Sequence, residues 1–487
     1  MAKAIMFQGT GSDVGKTVLV AGLCRLAANR GIKVAPFKPQ NMSNNAAIAD
    51  DGGEIGRGQW LQALAARVSP SIHMNPILLK PQSETGSQIV VHGKVWGQAK
   101  AREYKSVKPK LLTCVLESFE KLSQEYELIL VEGAGSPAEI NLRDGDIANM
   151  GFATEANVPV ILIGDIDRGG VIASIVGTYQ ILPDKDRDMI TGYLINKFRG
   201  DVSLFDDGLT SIHKFTGWLS YGVIPWLKAA AKLPAEDSVV LDRMSANTSG
   251  KFKIAIPRLP RMANFDDFDP LIAEQNIDVQ FISSGEAIPG DANIIILPGT
   301  KSTIADLTYL RSEGWDVQLR EHLKKGGSVF GICGGFQMLG RKIFDPDRIE
   351  GDISEIDGFG LLDIETIMEP EKVTQKTDAR SEFFGQDING YEIHIGRTTG
   401  PDCLRPFSFV GERGEGAITQ DGLIFGTYLH GLFTEDDFRH AFLNHFGIMQ
   451  SELNYTEMVD VALDDIANEL EQLVDFDALL KIAETSS

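Results

Sequence analysis

At 487 residues, 43% hydrophobic and 23% charged, the chain is long enough for two or three packed domains and has the composition of a soluble globular protein. No apolar run approaches the roughly 18 residues of a membrane span, and a formal charge of −22 opposes encounter with nucleic acid or an anionic membrane. The expectation is a cytoplasmic protein with neither nucleic acid nor membrane as partner; oligomeric state is not readable. Net charge does not select the substrate, because local Lys and Arg can still line a pocket for an anion. The N-terminus runs directly into an apolar strand without a signal-type core. Cys24, Cys114, Cys333 and Cys403 lie far apart with no C-x-x-C pair, so neither a disulfide framework nor a zinc site is indicated.

Along the chain, short apolar runs alternate with helix-length segments, which predicts an α/β fold with a mostly parallel, doubly wound sheet. The first strands are expected at 4–7, 34–37, 128–131, 160–163 and 192–195. A polar cluster follows each: Gly9–Thr17, Lys38–Asn45, Glu132–Ser136, Asp165–Gly170 and Asn196–Gly200. In open α/β sheets ligands bind beyond the carboxyl ends of the strands, so these clusters should meet in one crevice.

The first cluster, Gly9-Thr10-Gly11-Ser12-Asp13-Val14-Gly15-Lys16-Thr17, departs from the strict P-loop by carrying Thr10 where the first glycine would stand. The physics survives. Gly9, Gly11 and Gly15 let successive N–H groups face phosphate oxygens, a helix beginning near Lys16 adds its N-terminal dipole, and Lys16 supplies a cation. Thr17 would place its hydroxyl on Mg²⁺; the alternative is a ligand-free glycine turn. This loop resembles the dethiobiotin synthetase-like amidoligase family. The resemblance implies ATP and Mg²⁺ as cofactors, Glu132 as a second metal ligand, Lys38 beside the substrate carboxylate and γ-phosphate, and Asn196 at the adenine base. Asp13, Glu54 and Asp165 are further metal candidates, each with a turn cap as the alternative.

Residues 245–251, Ser-Ala-Asn-Thr-Ser-Gly-Lys, read as a linker, and a second α/β rhythm follows, with strands at 252–256, 293–297, 328–332 and 423–428. The domain boundaries are therefore 1–244, 252–446 and a helical tail, 447–487; the stretch from Asp436 onward has helical apolar spacing and is expected to pack against the second domain. In Gly331-Ile332-Cys333-Gly334-Gly335, small residues flank a cysteine at a strand-to-helix turn, as an exposed nucleophile needs. The helix N-terminus beyond it favours thiolate. Such a thiolate attacks a glutamine amide, forming a thioester and releasing ammonia, with the oxyanion held by backbone N–H groups. Gly334 and Gly299, in Leu297-Pro298-Gly299-Thr300-Lys301, are the expected donors. His430, after the 423–428 strand, is the matching acid–base. This order resembles class I glutamine amidotransferases, except that Leu432 stands two residues after the histidine, where that family usually has Glu. The third member is therefore absent or supplied from elsewhere. His394 is either a contact to glutamine or a structural strand residue.

A carboxylate-activating site and an ammonia-releasing thiol on one chain imply an amide-forming enzyme. The domain order, with Pro39-Gln40-Asn41-Met42-Ser43-Asn44-Asn45, Asp165-Ile166-Asp167-Arg168-Gly169-Gly170 and Gly390-Tyr391-Glu392-Ile393-His394, resembles the cobyric acid synthase family. What that resemblance implies is glutamine-fed amidation of the b, d, e and g carboxylates of a corrinoid, adenosylcobyrinic acid a,c-diamide. Ammonia should pass between the sites shielded from water, and Asn41, Asn44 and Asn45 should contact the corrinoid polycarboxylate. Two alternatives stand beside it: the earlier a,c-diamide synthase, and a P-loop ATPase switch with a degenerate glutaminase domain.

Overall fold

The computed structural model describes residues 2–82, 86–236, 250, 252–448 and 451–486, so of the expected linker only Gly250 lies within the described residues. The chain divides into two compact units. One comprises Met1–Ser43, Ala49–Glu236 and Met458–Ser487; the other comprises Asn44–Ile48 and Asp237–Glu457.

In the first unit, six parallel strands lie in the order Leu219–Pro225, Ile190–Phe198, Val160–Asp165, Lys3–Gly9, Leu128–Glu132 and Val34–Phe37. The central strands are continuous apolar runs buried along their length, as a sheet covered on both faces requires. The chain reverses its direction of travel across the sheet at Lys3–Gly9, which has Leu128–Glu132 on one side and Val160–Asp165 on the other. Such a switch point opens a crevice at the carboxyl ends, where the glycine loop begins. A second sheet of Gln40–Met42, Ile77–Pro81, Gly86–Val91 and Lys94–Lys100 is absent from the sequence reading. Its outer hairpin turns at His92 and Gly93, both at positive φ, 46° and 73°, the conformation that suits the twist of a two-residue hairpin.

In the second unit the sheet order is Ile277–Ile282, Phe252–Pro257, Ile294–Leu297, Ser328–Ile332, Ile424–Thr427 and Ala417–Ile418, parallel except for the last pair. A long antiparallel hairpin, Glu365–Ser381 with Gln386–Thr399, forms a separate sheet that the periodicity does not reveal. Leu429–His430 pairs with its edge, Tyr391 opposite His430. Phe330 packs among Phe407, Phe425, Phe433 and Phe442, seating the Ser328–Ile332 strand in an aromatic core.

The expected seat of the tail is corrected. The helix Asp436–His445 stays with the second unit, but the chain from Met458 onward belongs to the first. Its helices Tyr455–Leu473 and Phe476–Ala483 carry Ile466 and Leu470 against helix Lys16–Asn29, where a Cβ on Gly22 would lie only 2.5 Å from Ile466 Cγ2 and 2.6 Å from Leu470 Cδ1. Fully buried Arg25 donates to Asp460 at 2.5 Å, Asp464 at 3.1 Å and the Ala65 carbonyl at 2.9 Å. The partner that an amphipathic helix finds is a matter of steric match, which the tail's own spacing does not encode. Arg25→Ala should destabilise the first unit by roughly 2–3 kcal/mol, through the cavity and the orphaned carbonyl acceptors, read as a lower urea midpoint at unchanged m.

Candidate active sites

The turn after Lys3–Gly9 is shaped for an anion. Gly15 sits at φ 91°, and a Cβ on Gly9 would lie 2.7 Å from both the Gly11 carbonyl and Val14 Cγ2 and 2.9 Å from Lys16 Nζ, so only glycine fits the cradle. Lys16 Nζ caps the Gly11 and Gly135 carbonyls, each at 3.3 Å. Burial holds its pKa below the ordinary lysine value, with Lys38 nearby acting the same way and Glu132 opposing. An ammonium in that state is short of negative charge, which a phosphate would supply.

Beside the cradle the carboxyl end of Leu128–Glu132 delivers Glu132, almost fully buried. Glu132 accepts from Thr17 Oγ1 at 2.9 Å, Lys38 Nζ at 2.9 Å and Gln62 Nε2 at 2.7 Å. Glu236, which the sequence reading does not single out, completes the group: its carboxylate accepts from Lys38 Nζ at 3.0 Å and Asn41 Nδ2 at 3.1 Å and competes with Glu132 for the single Thr17 hydroxyl proton. Burial works against charge on both Lys38 and Glu236. The mutual attraction outweighs it, raising the Lys38 pKa, where Glu132 adds its pull, and lowering that of Glu236.

Among the described residues no three His, Cys, Asp or Glu side chains gather to hold a metal by themselves. A Mg²⁺ shared with phosphates asks for only one or two carboxylates and oxygen donors, and Thr17 with Glu132 is such a set. Glu54, the other expected metal ligand, pairs with Lys80 at 2.6 Å, both side chains buried. Asp165 accepts the Asp167 N–H at 2.9 Å as a turn cap and also pairs with Lys197, while Asp13 pairs with Arg168. Asn196, expected at the adenine base, donates to the Val14 carbonyl at 2.8 Å and so braces the cradle itself. Of the three expected corrinoid contacts, Asn41 belongs to the first unit and Asn44 and Asn45 to the second. Asn41 lies in the carboxylate cluster, Asn45 Oδ1 accepts the Phe265 N–H, and Asn44 keeps a buried Oδ1 that has no hydrogen-bond partner among the described residues.

In the second unit Cys333 sits between the strand Ser328–Ile332 and the helix Gly334–Leu339 at φ 53°, ψ −110°. This conformation is rare for a side-chain-bearing residue and marks a sharp elbow. A Cβ on Gly335 would be 2.1 Å from the Leu297 carbonyl, so the turn closes only over glycine. Cys333 Sγ lies 3.6 Å from the Ile393 carbonyl. Gly334 opens the helix with an N–H that the helix cannot itself pair. Gly299 borders the same space, since a Cβ there would be 3.0 Å from His430 Cε1 and 3.8 Å from Cys333 Cβ.

His430 stands where the chain leaves the parallel sheet and joins the antiparallel one. Its ring stacks on Tyr391, and Nδ1 donates to Asp267 Oδ2 at 2.7 Å, while the other Asp267 oxygen accepts the Gly431 N–H at 2.7 Å. Burial disfavours the imidazolium. Asp267, together with a hydrogen bond to Cys333, outweighs burial and pushes the His430 pKa up to about 10. The third group beside the Cys–His pair is thus Asp267, in Asn264-Phe265-Asp266-Asp267-Phe268-Asp269. An acidic string offered itself there, but nothing local distinguishes one aspartate from the next. His394 stacks on Tyr428 with centroids 3.8 Å apart and reaches Glu392 at 3.4 Å.

Residues 253–438 match the CobB/CobQ-like glutamine amidotransferase domain, and residues 5–240 match the CobQ/CobB/MinD/ParA nucleotide binding domain. Over 483 residues, 99% of this chain and 100% of the relative, the chain is 62% identical to cobyric acid synthase of Brucella suis biovar 1. Over 482 residues, with the same coverage, it is 62% identical to that of Brucella anthropi. The chain belongs to the cobyric acid synthase family. As a member of the cobyric acid synthase family it is a glutamine amidotransferase-containing ligase, an amide-forming enzyme of cobalamin biosynthesis with a nucleotide-binding domain. No helix among the described residues is long and apolar enough to cross a membrane.

Two outcomes are expected of this cobyric acid synthase relative. Asp267→Asn should lower kcat for glutamine hydrolysis by roughly 10²- to 10⁴-fold, as loss of an orienting carboxylate does. Removing that negative charge lowers the proton affinity of His430, so the alkaline limb of the pH–rate profile should move to lower pH, measured as glutamate release. Lys38→Met should cut ammonia-dependent amidation by at least about a hundredfold, through loss of a preorganised cation, while glutaminase activity persists.

Proposed function

We propose that the chain catalyses ATP-dependent, glutamine-hydrolysing amidation of the b, d, e and g carboxylates of adenosylcobyrinic acid a,c-diamide, giving adenosylcobyric acid. The observation that carries this is a Cys333–His430–Asp267 triad and a Lys16, Thr17, Lys38 and Glu132 cluster in one chain, together with full-length likeness to cobyric acid synthases.

Residues 1–244 take the synthetase role and residues 252–446 the glutaminase role. Cys333, as thiolate, attacks the amide carbon of glutamine; Gly334 and Gly299 N–H groups receive the oxyanion. His430 returns the thiol proton to the leaving nitrogen, the C–N bond breaks, and water then hydrolyses the thioester to glutamate. In the synthetase unit the cradle from Gly9 to Thr17, with Glu132, would hold ATP and Mg²⁺, which supply the phosphoryl group and offset its charge. Lys38, now shared between Glu132 and Glu236, is the cation available to a substrate carboxylate. Ammonia attacks the resulting acyl phosphate and expels phosphate. Four-site amidation requires the corrinoid to rebind in successive orientations, with Asn41 at the reacting end.

Protein incubated with Mg²⁺-ATP, glutamine and the a,c-diamide should show a stepwise gain of four amides by mass, matched by glutamate release. Cys333→Ala should lose the glutamine-driven reaction and keep the ammonia-driven one. ATP turnover without any amide gain on this corrinoid would refute the substrate assignment.

A further inference from the structure

The segment Asn44–Ile48 clusters with the second unit although the chain on both sides of it clusters with the first. Within the second unit it is fastened by a reciprocal pair of side-chain to backbone bonds. Asn45 Oδ1 accepts the Phe265 N–H at 3.2 Å, and Asn264 Oδ1 accepts the Ala46 N–H at 3.4 Å. Asn45 is 1% exposed and Asn264 3%, so neither bond competes freely with water.

The turn so held sits beside the glutaminase chemistry on both flanks. Asn264 lies at φ 53°, in the left-handed region that Asn adopts more readily than most residues with a side chain, and so turns the chain sharply there. Its carbonyl accepts the Asp267 N–H at 3.1 Å, and Asp267 in turn orients His430. On the other flank the Ala263 N–H donates to the Gly299 carbonyl at 2.9 Å, within the loop expected to hold the oxyanion. Upstream, the same stretch of chain carries Lys38 and Asn41, both bonded to Glu236 in the synthetase cluster.

We propose that Asn45 is a positioning residue for the Cys333–His430–Asp267 triad, and that through it the loop bearing Lys38 and Asn41 sets the glutaminase rate. The proposal rests on the amidotransferase reading above. Loading the synthetase cluster with nucleotide and substrate carboxylate draws Lys38 and Asn41 away from Glu236. Covalent continuity and the paired amide bonds carry that change to the turn of Asp267.

The test measures glutamate release by the full chain, with and without Mg²⁺-ATP and the corrinoid diamide, for the parent, Asn45→Ala, Asn45→Asp and Asn264→Ala. In the parent, loading should raise glutaminase kcat by at least about fivefold, the lower end of ordinary coupling between sites. Asn45→Ala should lower unloaded kcat about tenfold, the effect of leaving one buried N–H unpaired, with little change in KM, a lower alkaline limb in the pH profile and a loading ratio near one. Asn45→Asp, which keeps the acceptor, should recover most of the rate. Asn264→Ala should behave like Asn45→Ala while its ammonia-driven amidation stays within about twofold of the parent.

Parent-like kcat, pH limb and loading ratio in both alanine variants would dismiss the positioning role. A parent that does not respond to loading would dismiss the control of the glutaminase rate by the loop, and a proportional loss of both activities and of thermal stability would dismiss the positioning role. If Asn45 instead contacts the corrinoid, Asn45→Ala would raise the corrinoid KM and leave unloaded glutaminase intact, which also overturns the proposal. A parent that releases no glutamate under any condition would sink the amidotransferase reading itself.

Discussion

A charge taken out of water must find a counter-charge or give up its proton, and both sites of this chain are arranged around that requirement. Lys38 is buried between Glu132 and Glu236, which keep it an ammonium against the cost of desolvation. His430 is buried against Asp267, which raises its proton affinity far enough for an imidazolium to persist beside a thiol. In each site the pairing does more than stabilise. It holds a cation in place in each site, the Lys38 ammonium in one and the His430 imidazolium in the other.

The sheets place these pairs. All six strands of the first sheet run the same way, so Gly9, Glu132, Asp165 and Asn196 stand at one edge, and the reversal in winding at Lys3–Gly9 leaves room for a phosphate chain there. In the second unit, Cys333 and Thr427 end adjacent parallel strands, and the chain then crosses to an antiparallel sheet that contributes Tyr391 and the Ile393 carbonyl. The glutaminase pocket is thus bounded by two sheets of different kinds, with His430 at the point where the chain passes from one to the other.

Asp267 shows how a family pattern can be kept in chemistry while changed in sequence. The position after the histidine where a carboxylate is usual holds Leu432, fully buried. Its place is taken from a turn far upstream in the chain. The physical demand is a carboxylate oxygen within hydrogen-bond reach of Nδ1, and any element that can deliver one satisfies it. The turn that does so is clasped by Asn45 and Asn264, so the alignment of the triad depends on residues outside the glutaminase sequence motif altogether.

The sequence by itself determined the features that depend on local geometry and strand direction. The glycine cradle with Lys16 and Thr17, the Gly-Ile-Cys-Gly-Gly elbow, the parallel strands and the convergence of their carboxyl ends follow from short-range sterics and the two-residue and 3.6-residue periods. Tertiary structure alone decided what depends on partners distant in the chain. It chose Asp267 among three neighbouring aspartates, brought Glu236 to Lys38, paired Glu54 with Lys80, turned Asn196 onto the cradle and sent the tail to Arg25 and Gly22. Each of these is a contact between complementary charge or shape across a long loop, and a local pattern carries no information about which complement the fold will bring within reach.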